Sequence, residues 1–415
     1  MLAPPSSYER TPSGFGIYVH IPFCRHRCSY CDFFSLTNVD AERWERTADG
    51  LIAEIGREKE RWSRWGGGER PITSVFFGGG TPSWMPPRQL ARVVKALLDA
   101  FPKAASAEWT LETNPETVDA DFGSRLGETP FRRVSLGVQS FRQELLDRLD
   151  RRVGAAAIHR AIERLRPYVA RLSVDLIFGI PGQTAAEVRE DVERASALGT
   201  DHVSFYQLTL KPGHPLHSRL SSDDESAALY EVGFDALERA GFTRYEVSNF
   251  ARPEALCAHN WLYWSGGDYL GVGPSASSRV FDDGVFSHRK GYADWSKWLR
   301  SVEGAEAAPP FERSTPWETV LEALVSELRT PVGVATGAFQ ARYRWAIEGA
   351  PAFPTLLREG LLERWEDSRG VERIAPSRRG VLLADGLAEA LAPSAAAFLA
   401  ATRFDLGRES TAGRR

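Results

Sequence analysis

Cysteine is scarce in this chain, with four among 415 residues. Three of them, Cys24, Cys28 and Cys31, fall within eight positions, and Cys257 stands far away. So uneven a distribution is no disulfide framework, and a reducing compartment keeps such thiols free. The clustered cysteines are therefore read as chemistry. Long blocks of like charge are also missing. The 51 basic and 55 acidic residues nearly cancel, leaving a net charge of −4. That balance excludes the electrostatic footprint of a nucleic-acid binder and a polybasic membrane anchor. No apolar run approaches the ~20 residues of a membrane span. The opening MLAPPSSYERTPSG lacks the basic-then-apolar order of a secretion signal. The expectation is a soluble, cytoplasmic protein with no integral membrane segment and no nucleic-acid partner.

What is present is a chain 43% apolar, long enough for two or three domains or for one barrel with an appendage. From about residue 15 to 250, short β-rich runs alternate with segments of helical period, the pattern of repeated βα units around a parallel sheet. Six strands are expected, over Phe15–Ile21, Ser74–Phe77, Trp109–Glu112, Arg133–Leu136, Leu172–Ile177 and His202–Tyr206. Between them, Leu90, Val93, Val94, Leu97, Leu98 and Phe101 make one apolar helical stripe. Thr184 with Glu187 and Ser222 with Glu225 read as capping boxes, each satisfying a free backbone N–H at a helix start. After about residue 250 the alternation stops. A Trp- and Tyr-rich stretch and the linker-like EGAEAAPPFERSTP precede a second unit. That unit is expected to hold helices near Trp317–Leu328, Gly333–Arg344, Thr355–Leu361 and Leu383–Leu391, with a hairpin across Asp367–Gly370. The polar, basic end GRESTAGRR is read as a disordered tail.

The cysteines lie in HIPFCRHRCSYCDF, on a loop at the C-terminal end of the first strand, which is where barrel enzymes build their sites. Three thiolates there suit three irons of a four-iron cluster with the fourth iron open. A structural zinc completed by His20 or His26, and three unligated thiols, stay open as alternatives.

Cys24-x3-Cys28-x2-Cys31, with Tyr30 before the last cysteine, resembles the hallmark of radical S-adenosylmethionine (SAM) proteins. The resemblance implies a [4Fe-4S] cluster whose open iron chelates SAM and whose electron, from an electron donor, yields a 5′-deoxyadenosyl radical. A site at one end of the barrel should also show special residues at strand after strand. Gly78, Gly79 and Gly80 follow strand two, Glu112 ends strand three, Gln139 follows strand four, Asp175 lies on strand five, and Tyr206 and Gln207 end strand six. A cationic ligand calls for such carboxylates, and Arg151 suits its carboxylate.

The order of HIPFC, FFGGGTPS, LETNP, RVSLGVQSF, DLIFGIPGQT, YEVSNFARP, HNWLYW and YLGVGPSA resembles the oxygen-independent coproporphyrinogen III dehydrogenases and the related heme chaperones. This family implies an α/β fold: a partial (β/α)6 barrel of TIM type with a small helical, winged-helix-like C-terminal domain. It divides the chain into a core at 1–250, a barrel-closing segment at 251–305, a small domain at 306–400 and the tail at 401–415. Tyr18, Gly79, Gly80, Thr81, Glu112, Gln139, Arg151 and Asp175 match its SAM-contacting positions, with Gln207 and Ser277 as weaker matches. Two functions compete: oxidative decarboxylation of coproporphyrinogen III, or binding of heme and its delivery to apoproteins such as respiratory enzymes. The dehydrogenases carry a further cysteine two positions after the third, where this chain has Phe33, and a longer leading segment. Both differences favour the chaperone branch. His259, Asn260 and Tyr263 match the H-N-x-x-Y motif of that branch, so heme becomes an expected ligand, with Trp261 and Trp264 as flat packing surfaces. Set beside this is the plainer reading of His259 as a hydrogen-bonded loop histidine, of His20 as a brace for the cluster loop and of Cys257 as a packed thiol. Ala258, Ser277 and Val153 depart from the family pattern, where Arg, His and His are usual.

Overall fold

The computed structural model describes residues 14–64 and 70–393; the tail expected at 401–415 lies outside them. Six strands, β1 (Phe15–Ile21), β2 (Ile72–Gly79), β3 (Glu108–Thr113), β4 (Arg133–Gln139), β5 (Arg171–Phe178) and β6 (His202–Gln207), pair in parallel in chain order. Helices cross over between them, as parallel pairing requires. Each overlaps a strand expected from sequence. Both expected capping boxes form, with Thr184 and Ser222 each accepting from the backbone N–H three residues on.

Alternation along these strands sorts the side chains. Val75, Phe77, Leu111, Val134, Leu136, Leu172, Val174, Val203 and Phe205 point outward into the main apolar core under the helices. The residues between them, including Tyr18, Phe76, Thr110, Glu112, Ser135, Ser173, Asp175, His202 and Ser204, point inward and line a cavity. The barrel interior is thus polar and hollow where an ordinary barrel is packed with branched apolar side chains.

The sheet extends beyond the six expected strands, through the segment read as barrel-closing. β7 (Thr243–Arg244) and β8 (Asn249–Ala251) add antiparallel strands beyond β6. On the other edge β9 (Asp268–Val272) pairs in parallel with β1, followed by antiparallel β10 (Ser277–Asp282), β11 (Val285–Lys290) and β12 (Glu312–Arg313). The result is one 12-stranded sheet, and the linker-like segment itself supplies β12. These strands escaped notice because SSRVFD and VFSHRK bury arginines and serines where an apolar alternation is sought. One signal was legible: Asp283 and Gly284, both at positive φ (50° and 80°), form the two-residue turn between β10 and β11.

The C-terminal unit holds the helices Pro316–Glu327, Thr336–Tyr343, Phe353–Arg358 and Ala384–Leu391 around Val320, Leu324, Phe339, Ile374 and Leu391. The expected hairpin is β14 (Leu362–Glu366) with β15 (Glu372–Pro376), joined by a short third strand, β13 (Val334–Ala335). A third capping box, Thr315 with Glu318, went unread.

Buried ions tie the β9–β11 edge to the long helix Ala41–Arg64. Arg289 Nη1 on β11 meets Glu58 Oε1 at 2.6 Å, with both side chains almost fully buried. Glu54 Oε2 accepts from the Gly273 amide and the Trp298 indole, each at 2.8 Å. Removing one partner of such a pair strands the other charge in a dry interior. Glu58→Ala is therefore expected to destabilise the fold by about 3–5 kcal/mol, read as a lowered urea midpoint at unchanged m-value.

Candidate functional site

The loop after β1 is clamped by the segment after β2. Gly80 N–H donates to Ile21 O (2.8 Å) and Thr81 N–H to Phe23 O (2.7 Å), while Cys24 N–H donates to Leu36 O (3.0 Å). A Cβ on Gly80 would stand 2.6 Å from the Phe23 carbonyl oxygen, so only glycine permits this approach. Gly79 has φ 110° and lies against the His20 ring. The cysteine loop is thus held by backbone bonds that the glycine run makes possible.

Side chains beneath the loop address its sulfurs. Thr81 Oγ1 donates to Cys24 Sγ at 3.4 Å and is itself held by Asn114 Nδ2 at 2.9 Å. Arg151, buried beside the loop, donates through Nη1 to Cys28 Sγ at 3.4 Å and through Nη2 to Asn114 Oδ1 and Gly137 O, both at 2.8 Å. Among the described residues its Nε has no hydrogen-bond partner. Cys24 and Cys28 are buried and Cys31 is partly exposed. Burial pushes the Cys24 and Cys31 thiols up from their ordinary range.

The histidines offered for zinc are otherwise engaged. The His20 Nε2–H donates to Phe34 O (2.9 Å) and its Nδ1 accepts from Tyr18 OH (3.1 Å), which makes it the brace expected of it. His26 Nε2 binds Asp150 Oδ2 at 3.0 Å. Among the described residues no three His, Cys, Asp or Glu side chains converge as a single metal ion demands. Three separate sulfurs, a free buried Arg151 N–H and a glycine-lined approach suit a cluster, in which each cysteine holds its own iron.

Two cavities open from this loop into the barrel, of about 340 and 640 Å³. Cys24, Cys28, Cys31, Gly79, Gly80, Glu112, Gln139, Arg151, Asp175 and Gln207 line the smaller one. Tyr18, Glu112, Asp175, His259, Asn260, Tyr263 and Ser277 line the larger. Thr81 lines neither and acts on Cys24. The cavities share Asp32, Phe33, Glu112, Ser135, Asp175 and Tyr206, so they meet at one wall. Two of those shared groups are half-buried carboxyls. Glu112 accepts from Gly79 N–H at 3.0 Å, yet burial first, and then the neighbouring Asp175, raise it to about 8. Burial lifts Asp175 to about 6 against hydrogen bonds from Ser204 and Ser135.

His259 sits inside the larger cavity wall, almost fully buried. Its Nδ1 bonds Ser74 Oγ at 2.8 Å and its Nε2 bonds Tyr263 OH at 2.8 Å, so the His-to-Tyr spacing of four is one helical turn that closes on itself. Burial lowers this histidine to about 3. A bond from iron to either nitrogen requires one of these hydrogen bonds to yield. Trp264 reaches the cavity as expected. Trp261 does not: it packs with Tyr245, Cys257 and Val332. Cys257 is the packed thiol expected, pushed to about 12 by burial.

Sequence reasoning missed the rest of the larger cavity. Phe33 had been noted only as a missing cysteine, yet it lines both cavities and is 67% exposed. Phe76, Arg133 and His202 face inward by strand alternation and were within reach of a period-two reading. Glu322, from the C-terminal unit, and Arg279 with Lys290, from the unread hairpin, carried no local signal.

The radical SAM superfamily profile matches residues 18–195. Mouse radical S-adenosyl methionine domain-containing protein 1, mitochondrial, is 34% identical over 87% of this chain and 84% of its own. The heme chaperone HemW of Escherichia coli is 35% identical over 71% of this chain and 80% of its own. The chain belongs to the heme chaperone HemW family of radical SAM proteins. The coproporphyrinogen III oxidase HemN of E. coli superposes with a TM-score of 0.75 over 94% of both chains, at 19% identity, and so shares the fold. The expected radical SAM α/β architecture is thereby established. Membership brings a [4Fe-4S] cluster and SAM, and the residues around the smaller cavity fit both.

With these raised values Glu112 keeps its proton near neutrality and Asp175 keeps its own only in mild acid, and a carboxyl set opposite a sulfonium or ammonium must release its proton. Affinity then falls as the pH drops below those values. SAM binding to the cluster-loaded protein is expected to tighten from about pH 5.5 to about 8.5 with proton release, as calorimetry in buffers of different ionisation enthalpy would measure.

Proposed function

We propose that this protein is a heme carrier that binds heme in the larger cavity and hands it to apoproteins such as respiratory enzymes. The observation that carries this reading is the identity to HemW chaperones over about four-fifths of their length, joined to Phe33 in place of the dehydrogenases' further cysteine. Cys24, Cys28 and Cys31 would hold the cluster, with Arg151 and Thr81 donating to its sulfur ligands. Gly79, Gly80, Glu112, Gln139, Asp175 and Gln207 would hold SAM in the smaller cavity, with Tyr18 on the wall of the larger one. A reduced cluster with one open iron supplies a single electron at that place. Around it, this chain's own residues exclude water, set the charge of the site and keep Cys24 and Cys28 buried. His259, Asn260 and Tyr263 are proposed as the heme-binding group, which Tyr263 would have to release from its hydrogen bond to His259. Among the described residues no helix is long and apolar enough to cross a membrane, and the proposed place of work is the cytoplasm, with a separate one-electron donor.

The deciding experiment gives the reduced, cluster-loaded protein SAM and coproporphyrinogen III. No protoporphyrinogen is expected, whereas hemin binds and passes to an apo-respiratory enzyme; turnover to protoporphyrinogen would return the oxidase reading. His259→Ala is expected to weaken hemin binding in an absorbance titration, and to cost about 1–3 kcal/mol of stability through the stranded Ser74 and Tyr263 hydroxyls. An unchanged titration would place the heme elsewhere.

A further inference from the structure

The β10–β11 hairpin presents two faces. Ser278 and Arg289 turn to the long helix, where Arg289 meets Glu58. Ser277, Arg279 and Lys290 turn to the larger cavity. In register, Arg279 faces His288 and Ser277 faces Lys290. The Arg279–His288 rung is neutralised from the C-terminal unit, since Glu322 takes Arg279 Nη1 at 3.1 Å and His288 Nε2 at 2.8 Å. The third cation of the cavity, Arg133, is paired with Glu108 at 3.0 Å and with the carbonyls of Ala255 and Leu256. Lys290 differs from all of these. It ends β11 at the rim, is exposed, and carries no ion pair among the described residues. Of the four carboxyl groups that line the cavity, Asp32 is taken by Lys211 at 2.8 Å and Glu322 by the inner rung, and among the described residues neither Glu112 nor Asp175 makes an ion pair with Lys290.

The space that Lys290 overlooks is lined by Tyr18, Phe33, Phe34, Phe76, Trp264 and Tyr269. Aromatic walls accept the faces of a flat ring system. The cavity volume of about 640 Å³ lies within the ~300–1,000 Å³ of pockets that enclose such ligands. One uncompensated cation at the edge of an aromatic cavity calls for a flat apolar ligand with an anionic arm. We propose that Lys290, with the Ser277 hydroxyl across the hairpin, anchors a carboxylate of a tetrapyrrole whose ring lies in the larger cavity. This rests on the heme-carrier reading and assigns to it a residue outside the H-N-x-x-Y motif.

The test uses the full, cluster-loaded chain with iron(III) mesoporphyrin and its dimethyl ester, which has the same ring without carboxylates. Lys290→Ala is expected to weaken binding of the diacid by about five- to tenfold, Lys290→Arg to restore most of it, and the diester to bind wild type and Lys290→Ala alike. Iron content and thermal midpoint should be those of wild type, because Lys290 is exposed. An equal penalty for diacid and diester, or none, overturns the anchor. SAM has a carboxylate too: if Lys290→Ala lost SAM affinity while mesoporphyrin binding stayed intact, Lys290 would belong to SAM and the proposal would fall. Wild-type protein that binds neither porphyrin would overturn the carrier reading itself, a result distinct from binding without dependence on Lys290.

Discussion

Everything about the site follows from one constraint on the parallel strands: successive side chains must face opposite ways, and here both faces are enclosed. The outward set is apolar and pays for the fold by burial under the helices. The inward set is polar, so each member must find a partner or face a ligand. Ser173 meets His202, which meets Tyr245; Ser74 meets His259, which meets Tyr263. At Glu112 and Asp175 the hydrogen bonds from Gly79, Ser135 and Ser204 do not offset desolvation, and burial holds the carboxyls away from their usual ionisation. A hollow polar barrel is a poor way to build stability and a good way to place charge opposite a ligand.

Upon that frame the cysteine loop is fixed by neighbours rather than by its own sequence. Gly80 and Thr81 supply backbone donors from β2, and Arg151 reaches in from beyond β4 to join Cys28, Asn114 and Gly137. Loop, glycine run and arginine come from separate parts of the chain, and the parallel register brings them to one end of the sheet. The motif spacing and the recurrence of special residues at strand ends were therefore legible in advance. Of the residues named there for SAM, Gly79, Gly80, Glu112, Gln139, Arg151, Asp175 and Gln207 are on the smaller cavity's wall, while Tyr18 and Ser277 line the larger cavity and Thr81 acts through Cys24.

Legibility fell away along the larger cavity. His259 was visible as a motif, but that both of its nitrogens are occupied depends on Ser74, 185 positions earlier in the chain. The β10–β11 hairpin was hidden because its buried positions include Arg279 and Arg289, whose burial is tolerated through Glu322, Glu58 and backbone carbonyls. No local pattern announces a buried arginine when its partner lies in another unit. Phe33 shows the opposite limit: its identity was read correctly as an absence of sulfur, while its exposure between two cavities is a matter of three dimensions.

By itself the sequence determined the βα alternation, the cysteine motif and the family, because strand period, cysteine spacing and capping chemistry are local and act within a few residues. Tertiary structure alone decided which groups are charged, which histidines are free and which cation is left unpaired. Those properties depend on burial and on partners far apart in the chain, so the wall that the two cavities share had to be seen folded.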